Sequence, residues 1–284
     1  MSAHGRRERL LDEVEAAGWV HSGMTLALGD PAPMAVVRQL VRRGVKDLRV
    51  VGSGMALDLL IAAGAVRETV AYYAGAQAPA FRRAVEAGDV HVWECEEGIV
   101  TTGLRAAAQG LPFLPWRGGL GTSLPEVNQD LKVMIDPIRG ETLLAVPAIA
   151  VDVAVLHAAT SDPFGNVAHV GGPGWLDLFL QRAADKVIVQ VEKIVPNEEV
   201  RAAPWATTIA DADAVVRCPF GAHPYYSRGF YVQDRLNTKR YVDAASAGGA
   251  ALEEYLARYV TGPETHGDYL EQVGIKQLLS LHEY

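Results

Sequence analysis

Strand-length apolar runs alternate with helix-period segments along the first third of this chain, and that alternation limits the fold more than any other feature. LRVVGS (48–53) precedes MALDLLIAAG (55–64), ETVAYYAG (68–75) precedes PAFRRAVEAG (79–88), and VHVWEC (90–95) precedes EGIVTTGLRAAAQG (97–110). Each helical piece closes on a glycine, which helix C-termini favour because glycine adopts a left-handed φ freely. Strand–helix units at this spacing build βαβ crossovers around a mostly parallel sheet. Further strands are expected at MTLAL (24–28), VDVAVLHA (151–158), KVIVQVEKI (186–194) and DAVVRC (213–218), continuous apolar runs of the kind buried on both faces. The expected fold class is therefore α/β, an open, mostly parallel sheet with helices on both faces. The tail from about Leu236 reads as two or three amphipathic helices ending near IKQLLSLHEY. No repeat, low-complexity stretch or clear linker interrupts the 284 residues, 49% of them hydrophobic, so 1–284 reads as a single domain with a large core.

Net charge narrows the partners. At −8 the chain is a poor fit for nucleic acid as its main partner, although a local basic or backbone N–H pocket still suits an anionic ligand. The N-terminal MSAHGRRERLLDEVEAAGWV is charged and reads as an amphipathic helix, not as a signal peptide with its apolar h-region. No apolar run approaches the ~18 residues of a membrane span. Two distant cysteines, Cys95 and Cys218, make no disulfide framework. These features together lead to the expectation of a cytoplasmic protein.

The stretch Glu94–Ser123 gathers the most chemistry. Glu94, Glu96 and Glu97 stand where a strand hands over to a helix, the edge of a parallel sheet at which ligand sites occur. Acidic residues there also serve the helix dipole, so capping competes with catalysis as their role. Glu97, directly before Gly98, is singled out as the candidate catalytic group: partial burial would raise a carboxyl pKa and fit it for general acid–base work. The loop RGGLGTS (117–123), with Gly118, Gly119 and Gly121, offers backbone N–H groups to a phosphate, carbonyl oxygen or enolate. It is neither a Walker motif nor a dinucleotide fingerprint. GSG (52–54) places Ser53 between strand and helix, as a tight turn or as a ligand-facing helix N-terminus. SDPFGN (161–166) is strong turn chemistry with a structural role expected, Ser161 and Asn166 being able to point towards a cleft. GAHPYYSRGFY (221–231) concentrates His223, three tyrosines and an arginine in an irregular segment of the kind that lines sites. Histidine spacing suggests no metal, and neither a GxSxG elbow nor a Cys–His motif supports a hydrolase triad.

Several of these pieces, taken in order along nearly the whole chain, resemble the α (A) subunit of family I CoA-transferases, glutaconate CoA-transferase in particular. The matching segments are VHSGMTLALG (20–29), RGVKDLRVVG (43–52), AAAQGLPFLP (106–115), VPAIAVDVAVLHAATSDPFGNV (146–167), PNEEVRAAP (196–204), PFGAHPYYSRGFY (219–231) and HGDYLEQVGIKQLLSL (266–281). The resemblance implies the CoA-transferase fold and pairing with a β (B) subunit, typically as an α2β2 heterotetramer with the active site between subunits. It implies an acyl-CoA thioester substrate, coenzyme A entering as part of that substrate with no permanently bound cofactor. The implied transfer is nucleophilic: the thioester is attacked by a glutamate of the β subunit, and backbone N–H groups hold each oxyanion. Ser53, Gly118, Gly119, Gly121 and His223 would then be substrate-binding wall residues, beside Glu97.

Two departures bear on the reaction. LALGDPAPMAVV (26–37) is shorter between strand and helix than in family α subunits, with Asp30-Pro31 directly after Gly29, which would reshape the pocket near the acyl group. Glu97 in CEEG resembles the DEG segment of steroid-degradation ring-opening hydrolases, whose α-subunit glutamate takes part in C–C cleavage of a CoA thioester. Methylglutaconyl-CoA decarboxylase is a further relative on this scaffold. The expectation is thus an α subunit of the glutaconate CoA-transferase type acting on an acyl-CoA, an unsaturated dicarboxylic acyl group included. Its alternatives are a C–C-cleaving decarboxylase or hydrolase subunit, or a non-catalytic scaffold for the β chain.

Overall fold

The computed structural model describes residues 7–73, Gly75 and 78–282. Among the described residues twelve strands fall into two sheets: β1 (Leu10–Leu11), β2 (Thr25–Leu28), β3 (Leu48–Val51), β4 (Val66–Val70), β5 (His91–Val92), β6 (Phe113–Trp116), β7 (Lys132–Ile135), β8 (Thr142–Pro147), β9 (Val151–Ser161), β10 (Val167–Ala168), β11 (Ala184–Ile194) and β12 (Ala214–Arg217). The main sheet runs β1-β12-β11-β9-β2-β3-β4-β5, and β10 pairs with β9 beside it. Every pairing along the main path is parallel; β10 alone is antiparallel. The second sheet, β6-β8-β7, is antiparallel throughout.

Parallel strands need covered faces, and two apolar clusters supply the cover. On one face Leu26, Val50, Val153 and Val155 pack with Met34 and Leu40 of the helix Met34–Arg42, Leu57 and Leu60 of Gly54–Ala62, and Tyr241 of the tail. On the other, Ala27, Val51, Ala154 and Leu156 meet Ile99 and Leu104 of the helix Glu97–Ala108, Leu180 of Asp177–Ala183, and Leu144 and Val146 of β8. The expected helices on both faces are present, with the small sheet sharing the second face. Gly103 lets the helix Glu97–Ala108 approach β8 closely: a Cβ there would meet Ile149 Cδ1 at 2.7 Å and Pro147 O at 2.9 Å. The helix-ending glycines behave as the sequence suggests, with φ of 64° at Gly64, 77° at Gly88 and 65° at Gly110.

Several expectations need correction. The N-terminal segment is not one amphipathic helix: Leu10–Leu11 adds to the sheet edge, and only Glu13–Ala17 is helical, closed by a capping box between Asp12 and Glu15. Residues 1–6 of that expected helix lie outside the described residues. The strand expected over 90–95 holds only two residues, because the chain leaves the sheet edge after Val92 to enter the glutamate turn. Among the described residues the tail contains four α-helices, Arg235–Ala247, Gly249–Leu256, His266–Val273 and Ile275–Leu279, with a π-helical turn Ala257–Thr261 after the second, where two or three helices were expected; residues 283–284 fall outside the description. Among the described residues no helix is long and apolar enough to cross a membrane.

Candidate functional site

The main sheet reverses its order between β2 and β9. From β2 the chain steps outward through β3, β4 and β5; from β9 it steps the other way through β11 and β12. The crevice outside the carboxyl ends at such a switch point is where open α/β sheets bind ligands. Asp30 leaves β2 there, Ser53 leaves β3, Tyr72 leaves β4 and the glutamates leave β5.

Of the three glutamates, Glu96 is the cap. Its Oε2 accepts the Gly98 N–H at 2.7 Å, and its Oε1 accepts the Trp116 indole N–H at 2.9 Å. That division of labour follows from position, since an N-cap carboxylate satisfies an orphan N–H of the first helical turn. Glu97, the first helical residue, is thereby released from capping. It is exposed, so the partial burial on which its acid–base role was made conditional is not met, and among the described residues its carboxylate has no hydrogen-bond partner. Glu94 is exposed as well, and its carbonyl accepts from Asn128 Nδ2 at 2.7 Å.

The glycine loop lies against this turn through Trp116. A Cβ on Gly98 would sit 2.3 Å from Trp116 Cζ2, and one on Gly118 would sit 2.3 Å from Trp116 Nε1. The indole is thus wedged between two glycines and pinned to Glu96. Gly119 and Gly121 adopt φ of 83° and 76°, the left-handed region that glycine enters without strain. Among the described residues the N–H groups of Gly118, Gly119 and Gly121 donate no hydrogen bond. The carboxylates and the glycine loop, neighbours in sequence, are therefore neighbours in space.

Ser53 faces the same edge. Its Oγ donates to the Tyr72 hydroxyl at 3.3 Å and does not cap its own helix. The Met55 N–H, at that helix N-terminus, is taken by the Tyr225 hydroxyl at 3.1 Å, so this N–H is not open to a ligand. Trp175 meets Tyr72 edge to face, with centroids 5.1 Å apart. Burial pushes the Tyr72 phenol up and the Asp30 and Glu97 charges add to it, while hydrogen bonds from Ser53 and Trp175 oppose the rise. Tyr72 thus stays protonated, and with its oxygen already accepting, its own proton is free to donate.

Behind the edge lies a second layer. Asp30 is raised by burial, against the attraction of Arg228. Asp177, wholly buried, accepts the Asp30 N–H at 3.2 Å and is pushed up to about 7, burial being the chief cause. A small cavity beside them is lined by Pro31, His157, His169, Ser227 and Arg228 among others.

His157, Ser227 and Glu192 look like a nucleophile triad there, but their hydrogen bonds forbid it. Gln190 Oε1 accepts the Val36 N–H at 3.3 Å, so its Nε2 must donate to His157 Nδ1 at 2.8 Å. The His157 proton therefore sits on Nε2, which faces Ser227 Oγ at 2.9 Å and Glu192 Oε1 at 3.2 Å. A ring nitrogen that carries the proton cannot take one from Ser227.

His223, expected on the wall, is fully buried instead. Its Nδ1 lies 2.7 Å from the Tyr269 hydroxyl and its Nε2 3.1 Å from Asp234 Oδ2, so both ring nitrogens are occupied within the core. Ser161 and Asn166 turn inward as well: Ser161 Oγ donates to Asp162 O, and Asn166 Nδ2 donates to Asp162 Oδ2 at 2.7 Å. Cys95, half-buried, is pushed up to about 12 by burial and by Glu94 and Glu96, the reverse of what a thiolate nucleophile needs. Among the described residues no group of three or more His, Cys, Asp or Glu is arranged to hold a metal ion.

Tyr72, Asp177 and His169 escaped the sequence reading. Tyr72 stood inside an apparent strand. Asp177 follows the glycine run GGPGW (171–175), whose close-packing role was the only available signal.

Comparison with known proteins gives a consistent set of matches. The Coenzyme A transferase family matches residues 13–216. The cholesterol ring-cleaving hydrolase IpdA subunit of Rhodococcus jostii is 36% identical over 91% of this chain and 94% of its own length. The A-type chain of glutaconate CoA-transferase from Acidaminococcus fermentans is 31% identical over 93% of this chain and 91% of its own. The crystal structure of glutaconate coenzyme A-transferase from the same organism superposes with a TM-score of 0.91 over 97% of this chain and 96% of that one, at 31% identity. The decarboxylase AibA/AibB superposes with a TM-score of 0.77 at 29% identity, covering 89% of this chain and 100% of that one.

Proposed function

The chain belongs to the coenzyme A transferase family, as a subunit of the glutaconate CoA-transferase A type, and from that premise we propose that it supplies one wall of a two-chain acyl-CoA site in which Glu97 moves a proton at the acyl group. The observation that carries the reading is the division between Glu96 and Glu97. Glu96 takes over the cap, and among the described residues Glu97 is left unpaired at the switch-point edge. A partner subunit completes the site, in an assembly of two A-type and two B-type chains. Gly118, Gly119 and Gly121 offer N–H groups to the thioester oxygen, where preorganised donors stabilise a developing oxyanion. Ser53 holds Tyr72, whose proton is available to the same oxygen.

Moving CoA between two carboxylates requires a nucleophile and a leaving thiolate, but no proton at carbon. Breaking a C–C bond next to a thioester requires one, because the departing electron pair ends as an enolate that must be protonated, or a water must be deprotonated to attack. An unpaired acid–base group therefore supports C–C cleavage of an acyl-CoA as the reaction. CoA transfer is the second reading, supported by the close superposition on a glutaconate CoA-transferase chain.

The test is to purify the chain with its partner subunit, then to follow two reactions in parallel. One arm measures CoA exchange between acetyl-CoA and glutaconate; the other measures cleavage of ring-containing and dicarboxylic acyl-CoA thioesters. Cleavage abolished by Glu97→Gln supports the first reading. Exchange indifferent to Glu97→Gln moves the protein to the second. A complex that neither binds nor turns over any of these thioesters sinks both.

A further inference from the structure

Asp177 joins two segments that frame the site. Its Oδ1 accepts the Asp30 N–H and its Oδ2 the Gly174 N–H, each at 3.2 Å. The fit is close: a Cβ on Gly29 would lie 2.9 Å from Asp177 Oδ1, and one on Gly174 only 2.2 Å from Asp30 O. The carboxyl is therefore clamped between the turn that carries Asp30 and Pro31 and the glycine run that carries Trp175, which in turn packs on Tyr72.

Facing it, His169 Nε2 stands 3.7 Å from Asp177 Oδ2, its side chain only 4% exposed, with no hydrogen bond among the described residues. The other ring nitrogen fixes the tautomer. Thr208 Oγ1 donates its proton to Val167 O at 3.1 Å and so accepts from His169 Nδ1 at 2.7 Å. Nδ1 carries the hydrogen, which leaves Nε2 a bare lone pair. A bare nitrogen and an ionised carboxylate would be two buried acceptors pointing at each other, too close for a water directly between them. One proton turns that repulsion into a hydrogen bond after a sub-ångström shift.

We propose that Asp177 is a neutral acid whose proton is shared with His169 Nε2, and that this pair is a positioning unit for the acyl-CoA site. Its charged and titratable surroundings agree. Burial and the Asp30 carboxylate raise Asp177 to about 7, against the Asp30 and Gly174 N–H groups. Burial, then His157 and Arg228, lower His169 to about 4, against a hydrogen bond from the ring to the His157 backbone. The shared proton stands on its own geometry; its link to acyl-CoA rests on the reading of this edge given above.

The test uses the full chain with its partner subunit. Infrared difference spectra at pH 6 should show a protonated carboxyl band that Asp177→Asn removes and His169→Phe shifts. Nitrogen NMR of the unaltered protein should show a neutral His169 ring with Nε2 unprotonated. Binding of acetyl-CoA should weaken severalfold as pH rises through 7, and the Asp177→Asn protein should lack that dependence, since its amide cannot ionise. An ionised Asp177 at pH 6, an imidazolium at His169, or a constant binding ratio between Asp177→Asn and the parent across pH overturns the proposal. The wild-type NMR result holds its force even where a variant fails to fold. A shared proton in a complex that binds no acyl-CoA keeps the pair and removes the acyl-CoA reading.

Discussion

The cluster around His223 and the cluster at the switch-point edge are built from the same residue types, yet their atoms are left with different work. Around His223 the partners close on one another. Tyr269 and Asp234 hold the two ring nitrogens, Arg38 donates to the His223 carbonyl at 3.0 Å and lies 3.6 Å over the Tyr269 ring. Asp234 also takes Asn237 N–H and Nδ2 and Gln277 Nε2, and against its burial the hydrogen bonds from His223 and Asn237 hold it well below the usual carboxylate range. At the edge, among the described residues, the Glu97 carboxylate has no hydrogen-bond partner and the glycine-loop N–H groups donate to nothing. A closed polar network rigidifies a core, whereas open groups beside a crevice are groups a ligand can complete.

Glu97→Gln should break the comparison from the edge side, with the largest effect. The amide keeps the size and exposure of the side chain but cannot exchange a proton. Loss of proton transfer lowers turnover by about 10²–10⁴-fold. Thermal stability should hardly move, because the side chain is exposed and the cap belongs to Glu96. Steady-state kinetics of the complex beside a melting curve checks both halves. An unchanged rate would return Glu97 to the same class as the capping carboxylates.

His223→Ala should do the opposite. Removing His223 takes one donor from buried Asp234, which keeps those of Asn237 and Gln277, and the loss of a hydrogen bond to a charged group costs ~1.5–3 kcal/mol. The midpoint of denaturant unfolding should fall accordingly, while the rate per folded complex stays near that of the parent. A large fall in rate with stability preserved would put His223 on the wall after all, as the sequence suggested.

How much of this could be read from the chain alone follows from what each signal encodes. Apolar period and closing glycines are local, so the βα units came through: the helices at Gly54–Ala62, Pro79–Ala87 and Glu97–Ala108 fall where the pattern puts them. The small antiparallel sheet did not. Its inward residues Leu114, Trp116, Leu144 and Val146 alternate correctly, but β6 and β7 are short, and β6 pairs with β8 across a long separation while β7 joins it as a hairpin. The carboxylates and glycine loop were legible because they are close in sequence. Asp177 and His169 were not, since their roles depend on Asp30 and Thr208, residues 147 and 39 positions away. His223 misled for the same reason. A polar-aromatic loop looks exposed until Tyr269, 46 residues on, closes over it.

Gly118→Ala gives the smallest effect and separates a participating loop from a scaffold. The added methyl would lie 2.3 Å from Trp116 Nε1, so the indole must move, and overpacking of this kind costs ~1–3 kcal/mol. Because the indole N–H is also held by Glu96, the displacement is passed to the helix cap and to the backbone that carries Glu97. Gly121→Ala is the control: no atom lies within 4 Å of its added Cβ, and only its φ of 76° is strained. A loop that binds substrate predicts that Gly118→Ala lowers turnover with the two-chain complex intact on gel filtration, and that Gly121→Ala lowers it less. A loop that only supports the partner predicts a complex that falls apart, with whatever complex survives working at the parental rate.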